Sequence, residues 1–217
     1  MEATYRSLLS IDWVILLYII ALLLLVTANK YSGYKFLNFS KLILTDTYLK
    51  AYRDDSLFKP FHIVIVIFSM LFFPLIIQVI LFYLNILNQL LVLDYLKVGG
   101  VFLSFFLIKM FCQLILGKVL GLKDKIQHYV FEKQTYFSYL IFLSILPLLF
   151  LIFMPVTTSL LVYLLVILWV VLFVLAMFLV ITHFKELLFS YPLYFILYLC
   201  TFEIAPLLGA VFYMKRL

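Results

Sequence analysis

The sequence predicts an all-α protein: a polytopic transmembrane helix bundle of about six spans, with N- and C-termini outside the cytoplasm. Three observations lead there. The chain is 68% hydrophobic and only 12% charged, whereas a soluble domain is typically about 45–50% apolar and about 25% charged. Its apolar residues are gathered into runs of spanning length. Its basic residues lie unevenly in the segments between those runs.

A soluble fold of 217 residues could not cover so much apolar side chain with so little charge, so lipid is expected to do the covering. The formal net charge of +6 is better explained by orientation in the membrane than by nucleic acid, because the cations sit mainly between apolar runs. Six Gly and six Pro exclude a collagen-like or disordered chain. Cys112 and Cys200 lie inside apolar runs and read as small apolar fillers rather than a disulfide framework.

A helix needs about 20 apolar residues to cross the hydrocarbon. Six runs qualify: residues 11–28, 61–84, 99–117, 136–154, 160–181 and 193–213. Together they make one transmembrane domain, 1–217. The first run is longer than the apolar core of a signal peptide, lacks a positive leader and ends without a small-residue cleavage site, so it is expected to stay as a helix. The fourth and fifth are predicted to form a tight antiparallel hairpin. Pro155 is ill suited to continuing a helix, and Thr157, Thr158 and Ser159 can cap the next one.

With the loop after the first run inside, the cytoplasmic segments carry eleven Lys and Arg, against four on the other side: Arg6, Lys97, Lys215 and Arg216. The positive-inside rule then puts loops 29–60 and 118–135 in the cytoplasm. Two further pieces do not span. Ser40 is placed to cap a short helix over residues 41–53, where Leu42, Leu44, Tyr48, Leu49 and Tyr52 recur at helical spacing beside Lys41, Lys50 and Arg53. This reads as an amphipathic helix at the cytoplasmic interface. The competing reading folds it under the bundle with no separate role. Residues 85–97, broken by Asn85, Asn88, Gln89 and Asp94, read as an interfacial or re-entrant piece.

Two charges fall inside runs. Glu203 is central to the last run and Lys109 to the third. Each costs at least about 2.5 kcal/mol near the bilayer centre unless paired, hydrogen-bonded or neutralised. Gln113 lies one turn beyond Lys109, on the same face. Pro206 lies one turn beyond Glu203 and is expected to kink that helix. The expectation is an intramembrane polar cluster of Lys109, Gln113, Glu203 and Thr201, with the third and sixth helices as neighbours. A structural clasp and a proton or ion relay both fit it.

The stretch Tyr198-Leu-Cys-Thr-Phe-Glu-Ile-Ala-Pro206 resembles the C-terminal signature of an uncharacterised membrane family of Bacteroidota, domain of unknown function 4271. Chain length and apolar layout are similar too. The resemblance implies a helical inner-membrane protein and supplies no activity.

No catalytic, cofactor-binding or metal-binding residues emerge. There is no H-E-x-x-H, G-x-S-x-G, P-loop or G-x-G-x-x-G motif. His62, His128 and His183 fall at predicted helix ends or in a loop, where they read as headgroup contacts rather than haem ligands. Ser104 and Ser144 have no histidine at their level. With 24 Phe and 16 Tyr against six Gly, the spans look built for stable contact rather than sliding. The expected function is a non-enzymatic membrane component, needing no cofactor, that scaffolds an envelope complex or assembles with a partner or a second copy. Lineage alone suggests secretion or gliding machinery. The alternative is a small transporter or proton-coupled channel using Lys109 and Glu203.

Overall fold

A computed structural model describes residues 12–42, 47–52, 59–83, 87, 90–119, 123–153 and 159–183. The described residues form seven helices: α1 Asp12–Tyr31, α2 Gly33–Ser40, α3 Thr47–Tyr52, α4 Pro60–Tyr83, α5 Val92–Val119, α6 Lys123–Phe153 and α7 Ser159–His183. Four stretches are long and apolar enough to cross a membrane: Asp12–Tyr31, Pro60–Tyr83, Val92–Gln113 and Ile126–Ile152. Helix α7 carries a shorter apolar stretch, Val166–Val180. The sixth predicted span lies outside the described residues.

Helix α4 is the hub, packing against α1, α5, α6 and α7. Its sequence suits that place. It opens with Pro60 in the first turn, where a missing N–H costs nothing, and continues almost wholly apolar. Pro74 stands inside it and removes the donor that the Met70 carbonyl would otherwise receive. The neighbouring Leu71 carbonyl accepts the Tyr95 hydroxyl from α5 at 2.9 Å. Gly99 of α5 faces the proline, and a Cβ there would meet Pro74 Cγ at 3.6 Å, an ordinary van der Waals contact.

Aromatic rings join the helices at two nodes. In the first, Phe73 of α4 meets Phe102 of α5 at 4.4 Å, Phe137 of α6 at 5.1 Å and Trp169 of α7 at 6.2 Å between ring centroids. In the second, Phe39 of α2 is 1% exposed and makes edge contacts with Tyr48, Phe61, Tyr139 and Phe142 at 5.6–6.3 Å. Such pairs contribute about 0.5–1.5 kcal/mol each beyond their buried area. At the end of the bundle away from Phe39, side chains tie the start of α5 to its neighbours. Gln78 donates to the Leu91 carbonyl at 2.8 Å and Trp13 to the Leu90 carbonyl at 3.3 Å.

Three predicted boundaries are corrected. Ser40 does not start a helix over 41–53. It ends α2, its hydroxyl donating back to the Leu37 carbonyl, and α3 begins only at Thr47. Leu42, Tyr48 and Leu49 are buried, so the described part of this segment packs against the bundle. The second half of segment 85–97, expected as an interfacial or re-entrant piece, is continuous with α5, which starts at Val92. The predicted loop 118–135 is mostly helix, with α6 running from Lys123. The cause is common to the last two. Hydropathy marks where a chain enters hydrocarbon, and a helix has no physical reason to stop there.

Candidate functional site

The polar chemistry of the described residues gathers where α2 and α3 pack against the start of α4 and the middle of α6. Residues three, four and seven apart share a helix face. On α4 that brings His62 and Ser69 to one side; on α6 it groups Phe131, Gln134, Thr135 and Ser138. His62 is 5% exposed, Ser69 0%, Ser138 1% and Thr135 6%.

Hydrogen bonds link the two helices. Gln134 donates its amide to the Ser138 hydroxyl at 3.4 Å, Ser138 donates to Ser69 at 3.3 Å, and Ser69 donates to the Val66 carbonyl at 2.8 Å. Nearer the start of α4, the Tyr48 hydroxyl and His62 Nδ1 share a hydrogen bond of 3.3 Å. The ring of Phe131 meets the imidazole edge-on at 4.7 Å. Thr135 donates to the Phe131 carbonyl, and Tyr139 reaches the Ser40 carbonyl at the end of α2.

Between these groups lies a cavity of about 10 Å³, lined by Tyr48, His62, Gln134, Thr135 and Ser138 among others. That is at the lower bound for one water molecule. His62 and Ser69 are seven residues apart, about 10 Å along the helix, which is beyond hydrogen-bond reach. The Ser69 and Ser138 hydroxyls therefore form a string that joins α4 to α6.

This cluster is not the one the sequence predicts. His62 was expected to meet headgroups and instead is buried between Tyr48 and Phe131, because α3 folds over it. His128 lies within α6 rather than in a loop. Glu132, expected in a loop, is 3% exposed on α6. The signal for the cluster was present as polar residues at seven-residue and four-residue spacing in His62/Ser69 and Gln134/Ser138.

Of the predicted polar cluster, the structure places Lys109 and Gln113 on one face of α5. Lys109 is half-buried with Nζ 5.9 Å from the centre of the Phe105 ring, one turn before it. Gln113 is buried at 4% exposure, and neither residue is without an interaction partner. Thr201, Glu203 and Pro206 lie outside the described residues, so the predicted ion pair and kink do too. Of the predicted interfacial cations, Lys41 is exposed in the turn after α2, Lys50 falls in α3, and Arg53 lies outside the described residues. Among the described residues, no group of three or more His, Cys, Asp or Glu is placed to hold a metal ion.

A family model described as Domain of unknown function (DUF4271) matches residues 14–214. The chain belongs to this family. The match to DUF4271 runs from the first turn of α1 past the last described helix, so the polar cluster and the Lys109–Gln113 face both lie within it. No curated protein and no solved structure matches the chain.

Proposed function

We propose that this DUF4271 protein is a non-enzymatic component of a bacterial inner membrane, a fixed helical body that assembles with a membrane-protein partner. The observation that carries this reading is the Phe73 node. One ring of α4 is packed against rings from α5, α6 and α7, an arrangement that resists the rocking an alternating-access transporter needs. Membership of the described family fits a Bacteroidota envelope protein, with secretion or gliding machinery as the setting suggested by lineage.

Purification of the full chain in mild detergent tests the proposal. The expected result is a partner retained at fixed stoichiometry through size-exclusion chromatography. A monomer that moves protons or a solute across liposomes would overturn it. That outcome would favour the second reading, a proton-coupled channel, whose motivating observation is the buried Gln113 one turn from Lys109.

The six-span arrangement with both termini outside is part of the proposal and rests on the asymmetry of basic residues. Single cysteines at Lys50 and Lys125 are expected to be shielded from a membrane-impermeant thiol reagent applied from outside the cell. Labelling at either position in intact cells would reverse the topology.

A further inference from the structure

Contacts set the helices of the bundle in register. His62 and Ser69 of α4 meet Phe131 and Ser138 of α6 at the same offset in both pairs, so these two helices run side by side in one direction. Trp13, at the start of α1, reaches Leu90 and Tyr95 beyond the end of α4. Helix α1 therefore runs the opposite way, with Tyr18 beside Phe72 and the Ile145 carbonyl. Its 20 residues measure about 30 Å, the thickness of the hydrocarbon. The end of α1, level with the start of α4, thus marks one edge of the oil.

Helix α2 does not leave the bundle at that edge. Phe36 sets its ring edge-on to Phe142 at 6.0 Å, and Phe39 meets Tyr139 at 5.6 Å. The Tyr139 hydroxyl donates to the Ser40 carbonyl at 3.2 Å. Tyr139 and Phe142 come eight and eleven residues after Phe131, about 12 and 16.5 Å farther along α6, and Phe131 is beside His62, the third residue of α4. Phe39 also touches Phe61, the second residue of α4, at 6.3 Å. Helix α2 is therefore folded back along the flank of the bundle, between the first turn and the middle of α4, and not below it.

The rest of α2 is sorted around this contact. Lys35 and Asn38, three residues apart on one edge, are half-buried, and Lys35 lies over the Tyr52 ring of α3 at 4.5 Å. Tyr34 and Leu37 form an exposed stripe opposite Phe36 and Phe39, at 84% and 57% exposure. An aromatic and a leucine turned outward at this depth suit acyl chains.

We propose that α2 is a shallow re-entrant helix whose outer stripe, Tyr34 and Leu37, lies against the acyl chains of the leaflet in which α1 ends. Its depth selects that occupant, because the side chains that hold α2 stand inside the edge of the oil.

Spin labelling of the full-length protein in phosphatidylcholine vesicles tests this. Nitroxides are placed on Tyr34→Cys and Leu37→Cys, each in a Cys112→Ala/Cys200→Ala background, and their collisions with oxygen and with a water-soluble nickel chelate are compared. References are labels at Leu23, exposed on α1, and Lys118, exposed at the end of α5. At positions 34 and 37 the oxygen-to-nickel ratio is expected to shift away from the Lys118 value toward the Leu23 value. A ratio equal to that at Lys118 would overturn the proposal by placing the stripe in water. Labels reached by neither reagent would overturn it too, because protein would then cover the stripe.

Discussion

Replacing Phe39 by alanine is expected to lower the stability of the folded protein by about 3–5 kcal/mol, the cost of emptying a well-packed aromatic position. Phe39 is 1% exposed, and its ring touches side chains from α3, α4 and α6. Those helices share it as their common contact, so the change removes four ring contacts together. Leu37→Ala, two residues away on the exposed stripe, is expected to stay within about 0.5 kcal/mol of wild type. Reversible unfolding in mixed micelles with rising sodium dodecyl sulfate compares the two. Equal midpoints for the two variants would mean that α2 is not anchored through Phe39.

Ser69→Leu is expected to destabilise the bundle by about 1–3 kcal/mol through overpacking. Ser69 is fully buried, and its hydroxyl is 3.3 Å from that of Ser138 across the α4–α6 contact. Small side chains let membrane helices approach closely, and a leucine there meets α6 before it finds space. Ser69→Ala removes only the hydroxyl and is expected to cost about 1 kcal/mol. The difference between the two substitutions separates packing from hydrogen bonding. If leucine is tolerated as well as alanine in the same unfolding measurement, the close approach of α4 and α6 is not a constraint on the fold.

Membrane spans were readable from the sequence because lipid imposes a long, one-note requirement that composition alone reveals. The first, second and fourth apolar runs lie within α1, α4 and α6 apart from a terminal residue or so. Helix ends were not readable, because α5 and α6 gain nothing by stopping where hydrocarbon stops. Ser40 shows the local ambiguity: serine favours helix starts, yet here its hydroxyl turns back to Leu37 and closes one. The His62 cluster was missed for a different reason. Its members are far apart in the chain and modest in chemistry, and only the folding of α3 over α4 gives His62 a buried neighbour in Tyr48. Glu203 and Lys109 drew notice because a charge in an apolar run is conspicuous. A serine in such a run is not, although Ser69 and Ser138 sit at a close helix contact.

The 31 residues of α6 make a rod of about 46 Å, while the hydrocarbon layer is about 30 Å thick. At the roughly 20° tilt usual for membrane helices, about 32 Å of it fits the hydrocarbon and about 14 Å, between two and three turns, stands outside. The polar end is the first part, with Lys123, Asp124, Lys125, Glu132 and Lys133. Because this overhang is continuous with the buried part of α6, it acts as a post rather than a tether. A sideways push on its tip from the aqueous side would be delivered without slack to the Ser138–Ser69 contact within the bundle.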